Sequence, residues 1–166
     1  MALGIDPGPT WCGWALLDFA VSTAPVWHMG GRTDDVPALL DTLVAAGPLR
    51  PAVVGVERPV ALHNPLANVQ AMATCFAAGE VCGEARARGF EVMALPVHEW
   101  RGAFVGHFAK RGENVDHTIE RTLRALVRQM PKVTSTHSRD AAGVACVAHR
   151  KWRQRPGQVR AIGGET

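Results

Sequence analysis

No stretch of this 166-residue sequence stays apolar long enough to span a bilayer, and no charged leader with a cleavage site precedes its first apolar run. Those two absences predict a soluble, intracellular protein. Nor is there a C-x-x-C pair, so the four cysteines, Cys12, Cys75, Cys82 and Cys146, lack the spacing of a zinc or redox motif and read as small core residues. If Cys75 and Cys82 share a helix, seven residues of rise separate them by about 10 Å, too far for a disulfide. Internal repeats and low-complexity segments are missing as well. What remains, at 47% hydrophobic, is enough chain for one compact domain with a sizeable core.

One further absence concerns charge. The net charge is only +3, yet from Ala141 to Gly164 there is no acid, while Arg150, Lys151, Arg153, Arg155 and Arg160 all lie there. We therefore expect a folded domain over 1–150 and a basic tail over 151–166. Such a tail is either an electrostatic footprint for a polyanion or a solvated end that aids solubility.

The stretch Ala2 to Asp18 reads as strand, tight turn, strand: an apolar run ends on Asp6, Pro7 and Gly8 turn the chain, and a second apolar run leaves in the opposite direction. Asp6 thus stands at a strand end, either as a cation ligand on the open edge or as a plain turn-former. A third strand follows at Pro25 to Gly30. Asp34 and Asp35 then cap a short helix with Pro37 in its first turn. Pro51 to Pro59 is a continuous apolar run suited to a strand buried on both faces, and it too ends on an acid, Glu57. Pro65 to about Arg88 forms a long helix with apolar residues round most of its circumference and a small-residue series at Cys75, Gly79, Gly83 and Ala87. Such a helix needs two surfaces to bury it, the sheet and either a second copy of itself or another helix of the chain. Gly89 to Leu95 gives a fifth strand, His98 to Val105 a short helix, 106–112 a basic loop, and Glu113 to Gln129 an amphipathic helix with Val115, Ile119, Leu123 and Leu126 on its apolar face. The last helix begins near His137 and runs through Ala148. This order predicts an α/β fold whose sheet starts antiparallel and adds parallel strands.

If the first and fourth strands are neighbours and the last helix crosses their ends, Asp6, Glu57, His137 and Asp140 converge. His137 and Asp140, three apart, project from one face of a helix start. Three carboxylates at one place cannot all stay ionised without a cation, and oxygen-rich ligation favours Mg²⁺ or Mn²⁺ over zinc. A pair of such ions about 3.5–4 Å apart is the arrangement for in-line phosphoryl displacement.

Five segments carry a family resemblance: Gly4-Ile5-Asp6-Pro7-Gly8 with Gly13 after it, Val56-Glu57-Arg58-Pro59, the Ala/Gly-rich helix, Trp100 to Gly106, and His137-Ser138-Arg139-Asp140-Ala141-Ala142. From about residue 2 to 149 the chain resembles the RuvC family of Holliday-junction resolvases. The resemblance implies a five-stranded ribonuclease-H-like fold, a homodimer through the helix at 65–88, and a Mg²⁺-dependent endonuclease acting on branched DNA. It also implies that Asp6, Glu57, His137 and Asp140 are the metal-binding catalytic residues, His137 standing where the family has Asp or His. A cytoplasmic protein associated with the nucleoid follows from the same resemblance.

The chain departs from the family pattern where substrate is chosen. Pro59 and Val60 replace the aromatic often found after the glutamate, Arg101 replaces a DNA-contacting Lys, and Gly112 replaces a second, with Lys110 and Arg111 displaced nearby. Arg101, Lys110, Arg111, Arg150, Lys151, Arg153 and Arg155, with Trp152 among them, are the expected DNA contacts. Two other readings use the same residues: a ribonuclease-H-like nuclease acting on flaps, RNA–DNA hybrid or structured RNA, and a nucleotide-binding module of the actin and sugar-kinase kind. The latter needs a second phosphate loop and more chain than 166 residues supply.

Overall fold

The computed structural model describes residues 1–20, 24–59, 65–106, 113–132 and 134–155. Val60, Lys110, Arg111, Gly112 and Arg160 lie outside the described residues. Five strands, β1 (Ala2–Asp6), β2 (Cys12–Asp18), β3 (Val26–Thr33), β4 (Val53–Arg58) and β5 (Val92–Pro96), form one sheet in the order β3-β2-β1-β4-β5. The hairpin strands β1, β2 and β3 pair antiparallel, and β4 and β5 add parallel, as expected. Helices α1 (Val36–Ala45) and α2 (Pro65–Ala87) cover one face, while α3 (Val97–Val105), α4 (Val115–Leu126) and α5 (Thr136–Arg153) cover the other. Among the described residues no helix is long and apolar enough to cross a membrane.

Side-chain alternation along each strand decides which residues meet which layer. Leu3, Ile5, Leu16, Val54 and Val56 pack with α1 and α2, whereas Ala2, Ala15, Leu17 and Val53 pack with α5. On that second face the sheet carries a stripe of glycines. A Cβ at Gly4 would stand 1.8 Å from the Ala141 carbonyl oxygen, one at Gly13 2.5 Å from His137, and one at Gly55 2.7 Å from the Ala148 methyl. Helix α5 answers with Ala141, Ala142, Ala145 and Ala148, all fully buried, so its backbone lies directly on the sheet. That close seating brings its first turn to the ends of β1 and β4.

Local chemistry accounts for most boundaries. Asp35 caps α1 by accepting from the Ala38 N–H at 2.9 Å, Asn114 caps α4, and Ser135 caps α5. Helix α4 stops at Leu126, short of the expected Gln129, because the chain straightens there and Arg128 makes an isolated bridge to Val26. Its apolar face is correspondingly narrower: Ile119 and Leu123 are buried, while Val115 and Leu126 are exposed. Helix α5 runs beyond Ala148 to Arg153, so Lys151, Trp152 and Arg153 are helical. The cysteine expectation holds for Cys12 and Cys82, which are buried, and in part for Cys146; Cys75 is exposed. The reason is that α2 reaches the sheet only from Ala78 onward, through Ala78, Val81, Cys82 and Ala85, and its preceding turns carry no buried side chain among the described residues.

Candidate active site

Asp6 is the last residue of β1 and Glu57 stands one residue from the end of β4, directly beside it, since Ile5 pairs with Val56 in parallel register. Alternation turns both toward α5. The start of α5 is tied down by Ser138, whose backbone N–H donates to Ser135 Oγ at 3.1 Å and whose hydroxyl donates to the Gly31 carbonyl at 2.8 Å. His137 and Asp140 therefore meet the strand ends from a fixed helix. Asp6 and Asp140 are only 7% and 6% exposed. All four expected residues are brought to one place.

Each carboxylate has its own partner. Asp6 Oδ2 lies 2.5 Å from His137 Nδ1, Trp100 Nε1 donates to Glu57 Oε2 at 2.7 Å, and Arg101 Nη2 donates to Asp140 Oδ2 at 2.7 Å. With Asp6 ionised the imidazole donates through Nδ1–H, and Nε2 is the nitrogen left with a lone pair. Trp100 is completely buried, and Gly143 makes room for it: a Cβ there would stand 2.7 Å from the indole ring. Sequence reasoning noted the segment holding Trp100 but not its role, because nothing in the sequence says where an indole N–H points.

Burial comes first in shaping the electrostatics. It pushes Asp6 up to about 7, with repulsion from Asp140 adding to it and Arg101 opposing it. Glu57 is likewise pushed up to about 7, by burial and then by Asp6 and Asp140, against the Arg101 charge and the Trp100 bond. Asp140 is raised by burial and held back by Arg101. These acids sense one another strongly, yet among the described residues no three His, Cys, Asp or Glu side chains are turned together to cage an ion. The expected cage is thus an assembled donor set whose carboxylates face Arg101, Trp100 and His137. The set itself, the buried Asp6 and Asp140 with the half-buried Glu57 in mutual repulsion and an imidazole nitrogen, fits a hard divalent cation, which would offset both the burial of these charges and the repulsion that adds to it.

Replacing Trp100 by Phe keeps the ring and removes the bond to Glu57. An outer partner of a ligand is worth about 10–100-fold in metal affinity or activity. We expect divalent-cation binding to weaken by that order, read by calorimetric titration with Mn²⁺; an unchanged affinity would remove Trp100 from the site.

The expected nucleic-acid contacts are placed less uniformly. Arg101 is engaged with Asp140 inside the site, Arg150 donates to the Ala103 carbonyl at 3.0 Å, Lys151 pairs with Glu99, and Arg155 pairs with Glu91. Trp152 is half-buried against the core and donates to Glu91 at 3.2 Å. Arg153 is exposed, with no carboxylate partner among the described residues. Much of the positive charge at this end therefore folds back onto Glu91, just before β5, and Glu99 of α3.

The sheet order and helix layers define a ribonuclease-H-like fold, with an acid cluster at the ends of its central parallel strands. Among solved structures the chain is similar to RuvC of Thermus thermophilus. The complex described as that RuvC with Holliday junction substrate superposes with a TM-score of 0.69 at 20% identity, over 91% of this chain and 94% of that one. The structure of Thermus thermophilus RuvC described without substrate gives 0.67 at 20% identity, over 92% and 95%. No protein-family model matches the chain, and no curated protein matches it in sequence.

Proposed function

We propose that this chain is a Holliday-junction resolvase, a Mg²⁺-dependent endonuclease that cuts branched DNA in recombination and repair. The observation that carries the reading is the trio Asp6, Glu57 and Asp140, two of them pushed up to about 7 at the ends of adjacent parallel strands. Asp6, Glu57, Asp140 and His137 Nε2 would hold the divalent ions, with Mn²⁺ as substitute. Ions so bound supply an activated water and neutralise charge developing on the phosphate. The protein's own groups do the positioning: Asp6 orients the His137 ring through Nδ1, Trp100 holds Glu57, and Arg101 offsets Asp140. The N-terminus of α5 adds a partial positive charge on the side from which a phosphodiester must approach.

A four-way junction is cut in two symmetric places, so we propose a homodimer related by a twofold axis. Helix α2 supports this reading, since Val69, Met72 and Phe76 lie exposed along it at 72%, 57% and 70%, followed by Gly79 and Gly83. A Cβ at either glycine meets nothing within 4 Å. Gly79→Leu and Gly83→Leu should therefore leave the protomer folded and block close approach of a partner helix. The expected result is a monomer mass in light scattering for the variants and a dimer for the parent; a monomeric parent would sink the dimer. The residues after 150, like a location in the cytoplasm on the nucleoid, belong to the same proposal as an accessory to a 1–150 nuclease domain.

The test of the activity is gel cleavage of a mobile four-way junction beside a flap, an RNA–DNA hybrid and a blunt duplex, with and without Mg²⁺. Selective, Mg²⁺-dependent cutting of the junction is expected. Equal cutting of the duplex would defeat the junction reading, and cutting of hybrid or flap alone would move the substrate to another branch of the same chemistry.

A further inference from the structure

Asp6, Gly13 and Arg32 stand opposite one another on β1, β2 and β3. Directly paired residues of antiparallel strands share a face, and two strand spacings put the Arg32 backbone about 10 Å from that of Asp6. The missing side chain at Gly13 is replaced by His137, whose Cβ would lie 2.5 Å from a Cβ there. Trp11, in the turn between β1 and β2, packs edge-on against the His137 ring, with centroids 4.3 Å apart at 86°. The Arg32 guanidinium carbon lies 3.3 Å above the Trp11 ring. A continuous path of contacts thus runs from the Asp6 carboxylate through His137 and Trp11 to a cation.

That cation differs from its neighbours. Arg101 is taken up by Asp140 and Arg139 by Glu120, whereas Arg32 is exposed and no carboxylate pairs with it among the described residues. Stacking on an indole holds the guanidinium plane still while leaving its N–H edge open, and a weakly hydrated planar fork held in this way is suited to bidentate phosphate contact. The acids beside it repel any phosphodiester brought to them, so an unpaired, pre-oriented cation at this distance has a physical task. Resting on the nuclease reading above, we propose that Arg32, held flat by Trp11, is a phosphate clamp. It takes a backbone phosphate of the strand lying in the site, a short step along that strand from the phosphate facing Asp6.

The experiment uses the Asp6→Asn protein, so that DNA is bound without being cut, and measures affinity for a fluorescent four-way junction and for a plain duplex across a salt series. Adding Arg32→Gln should weaken junction binding about tenfold and flatten the log–log salt slope by about 0.9. Arg32→Lys should keep the slope and recover only part of the affinity, because charge returns without the planar fork. Trp11→Leu should weaken binding in the same direction as Arg32→Gln. Unchanged affinity and slope for Arg32→Gln would overturn the clamp, and so would weaker binding with the wild-type slope, which would place the role of Arg32 in supporting His137. Failure of the junction reading looks different: the Asp6→Asn parent would then bind junction and duplex alike, while the slope difference at Arg32 would still decide the clamp on either DNA.

Discussion

Asp6→Asn should abolish cleavage and, in the metal-free protein above pH 7, make the fold more stable. On the proposed nuclease reading the loss of cutting follows from removing the charge of one member of the acid trio, and we expect about three orders of magnitude or more, the upper scale for losing one transition-state contact. The gain in stability follows from where Asp6 titrates. Its folded pKa of about 7 lies above its ordinary value of 3.8, so the folded state holds the proton more tightly than the unfolded chain. Stability from this group is fully present below pH 4 and is lost as pH rises through 7. At pH 8 the parent therefore carries a buried ionised carboxylate beside two others, and Asn does not, while its amide oxygen can still accept from His137. The difference should be on the order of a few kcal/mol. Melting curves in EDTA at pH 5 and pH 8 read it directly: the parent should lose stability over that interval and the variant should lose less. Mg²⁺ should restore the parent at pH 8 and have less effect on the variant. Identical pH dependence in the two proteins would mean that Asp6 is not the buried, raised acid described above.

Among the described glycines, Gly4 is the one where a single added methyl should do most damage. The added carbon would stand 1.8 Å from the Ala141 carbonyl oxygen and 2.8 Å from the Ala145 nitrogen, both backbone atoms of α5 that no rotamer change can move. Either β1 or α5 must shift as a unit, and overpacking of that kind costs about 3 kcal/mol or more. Because Asp140 precedes Ala141, the same shift should draw Asp140 and His137 away from Asp6, so the folded fraction should also lose activity. Urea unfolding measures the first effect and Mg²⁺-dependent cleavage the second. Gly102→Ala is the control: a Cβ there meets nothing within 4 Å on the exposed side of α3, and Ala there should stabilise the helix by up to about 1 kcal/mol. A Gly4→Ala protein as stable as the parent would show that α5 does not seat on the sheet through its glycine stripe.

Local rules read from the sequence decided the order of elements, the antiparallel-then-parallel sheet, and the positions of Asp6 and Glu57, since an apolar run ended by Pro and Gly displays its last acid at a strand end whatever the rest of the chain does. The cap at Asp35 belongs to the same class, because a cap and the N–H it satisfies lie within three residues of each other; the cap at Asn114 does not, since the sequence pattern starts that helix at Glu113 and the structure starts it at Val115. Tertiary structure alone decided which partners those acids have. Trp100 reaches Glu57 across 43 residues and Arg101 reaches Asp140 across 39, and both contacts depend on the seating of α3 against α5. It decided too that Lys151 and Arg155 are paired with Glu99 and Glu91, that Cys75 sits on a stretch of α2 beyond the sheet, and that Arg32 lies over Trp11. Hydrophobic period and turn chemistry act over one or two turns of chain, whereas the direction of an indole N–H or a guanidinium is set only when separate elements have packed.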